Sequence, residues 1–169
     1  MMRSMQSSLF VLALGAVAAV SPRAASAQLG IDVGAKAPDA AVQTLDGQAA
    51  QLASAFNGKP AVIEFWATWC PNCKALEPHM DAMQAKYAGK VAFVGVAVSA
   101  NQSAERVRRY TAEHMRGFTH FYDARGHAVG DYDVPATSYV VIVDRTGKVV
   151  YTGVGGDQQL DAALAKAIK

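Results

Sequence analysis

Apolar positions follow two periods along this chain, and the changes of period mark its elements. Short continuous runs of β-branched and aromatic residues occupy 61–67 and 91–98. They are too short for ordinary helices and read as strands buried on both faces. Between them Leu76, Met80, Met83 and Tyr87 recur at helical spacing, the inward stripe of a helix predicted over 71–88. Pro71 suits the first helical position, where a missing N–H leaves no bond unmade. Pro78 predicts a kink, and Gly89 is a natural C-terminal cap. A second helix is predicted from Ser103, with Glu105 in its first turn and Val107, Tyr110, Thr111 and Met115 facing inward; Gly117 stops it.

The remaining pattern is mostly hairpins. Strands at 40–45 and 48–52 flank Asp46-Gly47, a two-residue turn signal, and 138–143 and 149–153 flank Asp144-Arg145-Thr146-Gly147. Residues 28–38 form an extended lead-in. A helical turn over 52–56, a strand over 118–122, a short helix over 124–132 and a closing helix over 158–168 complete the series. Strands joined by a helix should run parallel, and the last hairpin antiparallel. The fold class is therefore α/β: a mixed central sheet flanked by helices, with an N-terminal β-hairpin extension.

The first residues stand outside this domain. Arg3 supplies a positive region, 9–20 are apolar, and Ala25-Ser26-Ala27 is an A-x-A cleavage site. Residues 1–27 thus read as a secretory signal peptide and 28–169 as one domain. The apolar core is short for a bilayer span, so membrane contact is expected only if the leader stays uncleaved. Without the leader, Arg3 and Arg23 are lost and 14 basic residues face 14 acidic ones. That balance gives no reason to expect nucleic acid as a partner. Export places both cysteines in an oxidising, periplasmic or otherwise extracytoplasmic compartment.

Both cysteines lie in Cys70-Pro71-Asn72-Cys73, directly after a buried strand. As N-cap of the following helix, Cys70 meets unpaired backbone N–H groups and the positive end of the helix dipole, which lower a thiol pKa. Cys70, nearer the helix end and expected to be the more exposed, is the candidate nucleophile. Cys73, one turn in, is the resolving thiol. The alternatives are a static disulfide or half of a metal site; zinc normally needs four ligands, and no second CxxC is present, although four histidines are. Glu64 sits mid-strand where both faces should be buried, so desolvation should raise its pKa unless a cation pairs with it.

The segment FWATWCPNC, with Trp69 before the first cysteine, resembles the active site of the thioredoxin superfamily. With Ala37-Pro38-Asp39, Thr44-Leu45-Asp46-Gly47 and Gly58-Lys59-Pro60, it is similar to exported TlpA/ResA-type thiol–disulfide oxidoreductases. The resemblance implies a thioredoxin-like fold and exchange of the Cys70–Cys73 pair with client thiols and disulfides. Reduction is slightly preferred over oxidation, with an upstream redox donor and a place in cytochrome c maturation or a similar pathway. It implies no cofactor and a monomer. Pro71 and Asn72 occupy the positions that tune redox poise. Glu64, six residues before Cys70, matches the buried acid of thioredoxin that exchanges protons with the second cysteine. TlpA/ResA-type proteins often carry an acid three residues after that cysteine; Leu76 stands there, with Glu77 beside it.

The superfamily also places a cis-proline in the loop facing the CxxC. The loop here contains Val134, Pro135, Thr137 and Ser138. Pro135 is the candidate, whereas counting back nine residues from Gly147 gives Ser138. The second functional class is an exported copper carrier of the same fold. Such proteins use CxxxC and a loop histidine, and the matching position looks like Ala136. No metal ligands are assigned. The peroxiredoxin pattern needs a threonine three residues before its cysteine; Thr68 is only two before Cys70.

Overall fold

β3 (Ala61–Trp66) is buried along its whole length and forms the middle of the sheet. The computed structural model describes residues 29–169, and the predicted signal peptide lies outside the described residues. A hairpin of β1 (Ala41–Thr44) and β2 (Ala49–Gln51) comes first, then a 3-10 turn over Leu52–Ala55. After β3 come α1 (Pro71–Lys86), β4 (Ala92–Val98), α2 (Ala104–Thr111), β5 (Thr119–Asp123) and α3 (His127–Asp131). The hairpin β6 (Tyr139–Val143) and β7 (Val149–Val154) and then α4 (Leu160–Ala167) close the chain. The seven strands lie in the order β2-β1-β5-β4-β3-β6-β7. β3 pairs parallel with β4 and antiparallel with β6, as the helix crossover and the hairpin require.

Side-chain alternation along β3 divides the core. Val62 joins Leu76, Met80 and Met83 of α1 and Leu160 and Leu164 of α4 in one apolar layer. Ile63 and Phe65 face the other layer, with Leu52, Ala128 and Tyr132. Glu64 shares the parity of Val62 and pairs in register with Val140 of that same layer, so the sheet carries it toward the α1 side.

Several boundaries differ from the sequence pattern. Both hairpins close through three-residue loops: Thr44 N–H donates to the Gln48 carbonyl at 2.9 Å, and Asp144 N–H to that of Lys148 at 2.9 Å. Gly47 (φ 82°) and Gly147 (φ 76°) take the left-handed position such loops require. Asp144 Oδ1 accepts from the hydroxyl and N–H of Thr146 and from Lys148 N–H, and these bonds hold its carboxyl below its ordinary pKa. α1 stops at Lys86 with Tyr87 as its cap, two residues before Gly89. α2 stops at Thr111, so Met115 reaches the core from an irregular segment with φ 52° instead of from a helix face.

Gly95 marks a close approach. It pairs in register with Glu64 on one side and His120 on the other. A Cβ there would lie 2.6 Å from His120 Nδ1 and 2.9 Å from Trp66 Nε1. Gly95→Ala is therefore expected to displace both rings and destabilise the fold by about 1–3 kcal/mol, read as a lower denaturant midpoint. An unchanged midpoint would show that the two rings move freely.

Candidate active site

The start of α1 is built as its residues dictate. Cys70 (φ −80°, ψ 114°) is the N-cap, Pro71 is the first helical residue, and Cys70 Sγ accepts the Cys73 N–H at 3.1 Å. The two cysteines are joined as a disulfide, their Cα atoms 5.3 Å apart. Exposure does not distinguish them as expected: Cys70 is 2% and Cys73 6% accessible, because Cys70 packs into the apolar layer with Trp66 and Ala67. What does distinguish them is position: Cys70 is the N-cap of α1 and Cys73 lies within its first turn. Pro71 and Asn72 are exposed between them. Gly156 lies close to this turn: a Cβ there would sit 3.1 Å from the Asn72 carbonyl oxygen.

Trp69 is partly exposed and tied down: its Nε1–H donates to the Ala100 carbonyl at 2.8 Å. Ala100 in turn lines a groove of about 260 Å³ with Val98, Val129, Val134, Ala136 and Thr137. The groove also contains Asp123, which is buried; its Oδ2 accepts Val129 N–H, and Oδ1 has no partner among the described residues. Sequence reasoning missed Asp123 and Ala100. Neither stands at a motif position; only the tertiary fold brings Ala100 to Trp69 and Asp123 into the same groove as Ala100.

The loop before β6 corrects the proline expectation. All peptide bonds among the described residues are trans, that of Pro135 included, and Pro135 is exposed. Ser138, at the other counted position, is fully buried with φ 62°; its hydroxyl donates to the Gly155 carbonyl and its own carbonyl accepts from Gly155 N–H and Gln158 Nε2. Those bonds fix the left-handed backbone that serine otherwise disfavours.

Glu64 is 1% exposed, and Oε1 has no hydrogen-bond partner among the described residues. Burial, with the nearby Glu77 charge adding to it, pushes its carboxyl up to about 8. Glu77 is the group that the sequence placed only as a neighbour of Leu76. One of its oxygens accepts from Tyr110 OH at 2.8 Å, and the other lies 2.7 Å from His114 Nδ1. Tyr110 also stacks on His114 and packs on Trp66, so α1 and α2 meet through this cluster. His120, half-buried with Nε2 on the Met115 carbonyl, is pushed below its ordinary pKa by desolvation. No three His, Cys, Asp or Glu side chains among the described residues gather as metal ligands.

Comparison with known proteins agrees with this geometry. The Redoxin family model matches residues 32–168, nearly the whole described chain. The chain belongs to the Redoxin family. It is 35% identical over 129 residues to the thioredoxin-like protein YneN of Bacillus subtilis, covering 76% of this chain and 75% of that protein. The thiol-disulfide oxidoreductase ResA of Bacillus thuringiensis is 28% identical, covering 80% and 79%. Among solved structures, a Chlorobium tepidum protein described as thiol:disulfide interchange protein DsbE superposes with a TM-score of 0.72 at 30% identity, covering 82% of this chain and 99% of that one. Within the Redoxin family this chain thus has the thioredoxin-like fold, its mixed sheet flanked by helices.

Proposed function

We propose that this thiol–disulfide oxidoreductase works outside the cytoplasm, chiefly as a reductase of client-protein disulfides. The carrying observation is the Cys70–Cys73 disulfide at the start of α1, with the buried Glu64, its carboxyl pKa raised, on the α1-facing side of the sheet. In the forward cycle Cys70 thiolate attacks a client disulfide, forming a mixed disulfide and releasing one client sulfur, which takes up a proton. In the fraction of molecules whose Glu64 carboxyl is ionised, it takes the Cys73 proton, and the Cys73 thiolate attacks Cys70 Sγ, expelling the second client thiolate. The client gains two electrons, the protein is left as its disulfide, and an upstream dithiol donor restores it. Trp69, Val134, Pro135 and Thr137 would frame the surface against which the client sulfur lies, with the buried Ser138 holding the loop behind it and Pro71 and Asn72 between the cysteines.

The direction rests on how little supports the thiolate. A strongly stabilised thiolate makes an oxidant, whereas Cys70 Sγ receives one backbone N–H within an apolar layer. Export rests on the predicted leader; no helix among the described residues is long and apolar enough to cross a membrane. The named relatives ResA and DsbE fit a thiol pathway such as cytochrome c maturation. The deciding measurement is the reduction potential of the pair in glutathione buffers, with turnover on a model disulfide. A potential near thioredoxin's, about −270 mV, supports a reductase; one near about −120 mV makes the chain an oxidant and overturns the direction.

A further inference from the structure

A second surface adjoins the disulfide and takes no part in the exchange chemistry. It is a cleft of about 440 Å³ between the start of α1 and α2, lined by Thr68, Lys74, Arg106, Arg109, Glu113 and the Tyr110–His114 pair. Its walls bracket the redox motif: Thr68 stands two residues before Cys70, and Lys74 directly follows Cys73.

Two independent observations mark the cleft as built for an anion. The first is charge. Lys74 and Arg106 are exposed and have no ion-pair partner among the described residues, and Arg109 has only a loose exposed contact, 3.8 Å from Glu105. Against these three cations the same walls set one carboxylate, Glu113. The second is Thr68, 5% exposed, whose Oγ1 has no hydrogen-bond partner among the described residues although it can donate. Its backbone N–H is already held by Gln102 Oε1 at 2.9 Å, so the residue is fixed while its buried hydroxyl is left unpartnered in the wall of the cleft. An unpartnered hydroxyl in the wall and exposed cations around it match a carboxylate.

We propose that this cleft docks an acidic segment of the client protein, with an Asp or Glu two to four residues from the client's reactive cysteine. Extended chain advances about 3.3–3.6 Å per residue, so such a carboxylate lies roughly 7–14 Å from the sulfur being exchanged, a span suited to a cleft bordering the CxxC. The docking rests on the exchange reading above and adds to it a choice of client. Attraction between opposite charges accelerates encounter and screens with salt, which gives the docking a signature distinct from apolar binding.

The test uses the reduced protein and two disulfide-linked peptides of equal length, one flanked by Asp and Glu and one by Asn and Gln, with hydroxyethyl disulfide as a substrate too small to reach the cleft. The wild type is expected to reduce the acidic peptide roughly fivefold faster or more at low ionic strength, and the advantage should shrink as salt rises. The double variant Lys74→Gln, Arg106→Gln should lose that preference while keeping its rates on the neutral peptide and on hydroxyethyl disulfide. Thr68→Val should diminish it, and Arg106→Glu should favour a Lys-flanked peptide. Equal wild-type rates for the two peptides, or a preference that survives in the double variant, overturn the docking alone. A cation-dependent preference for glutathione disulfide without one for the acidic peptide assigns the cleft to a small thiol and also overturns it. Failure on hydroxyethyl disulfide overturns the exchange reading, and the docking falls with it.

Discussion

Cys73→Ser is expected to hold a partner on Cys70 as a covalent mixed disulfide and to reduce turnover to background. Cys70 would still attack, but no second thiol would remain to expel the partner. Cys70→Ser should form no adduct at all. The reduced wild type adds a sharper discrimination. Both sulfurs are nearly covered in the disulfide form, at 2% and 6% exposure, so an alkylating agent cannot choose between them by access alone. Preference has to come from thiolate character, and Cys70 is the residue at the helix end. At neutral pH Cys70 is therefore expected to react with iodoacetamide about tenfold faster than Cys73 or more, read by peptide mass spectrometry. Equal rates, or faster labelling at Cys73, would reject the assignment.

The second large effect lies at Glu64. With its folded pKa at about 8 against an ordinary 4.5, the native state keeps a proton that the unfolded chain releases. Stability from this group is complete below pH 4.5 and is lost as pH rises, at roughly 1.4 kcal/mol per unit, until the curve levels above pH 8. By pH 7 the loss is about 3 kcal/mol. Glu64→Gln carries no titration at this position, so its stability curve should lack this decline across that window, whatever constant offset the amide adds. Exchange should slow in the same variant because Cys73 loses its proton acceptor. Paired stability–pH curves and single-turnover rates measure both effects. Parallel curves with equal rates would leave Glu64 without a part in the chemistry, and Glu77 would be the next carboxylate to replace.

The sequence showed the elements that chemistry fixes locally. Cys70 as N-cap, Pro71 opening the helix and the burial of Glu64 each follow from a few neighbouring residues, and the structure places all three as local rules demand. What the sequence hid depends on contacts between distant segments. Gly47 and Gly147 had the right residue type, yet the loop length depends on where the ladder closes, and that is set by the strands. Met115 fits a helical stripe by spacing but reaches the core after the helix has ended. The Tyr110–Glu77–His114 cluster spans two helices and has no linear signature. Ser138 is the reverse case: counting along the chain found the position, while its left-handed backbone depends on Gly155 and Gln158 beyond the next hairpin.

The placement of β3 also governs how the chain reaches this state. One side of β3 is hydrogen-bonded to β4, about thirty residues downstream, and the other to β6, nearly eighty residues away. During synthesis the second edge stays open until residues 139–143 emerge. Loop-closure entropy must be met before those distant pairings return any energy, so folding belongs to the slower, non-local class. Until β6 arrives, an apolar strand with unpaired N–H and C=O groups is exposed to other chains. The arrangement that surrounds Glu64 with protein on every side thus leaves the nascent polypeptide vulnerable to aggregation for nearly half of its emergence.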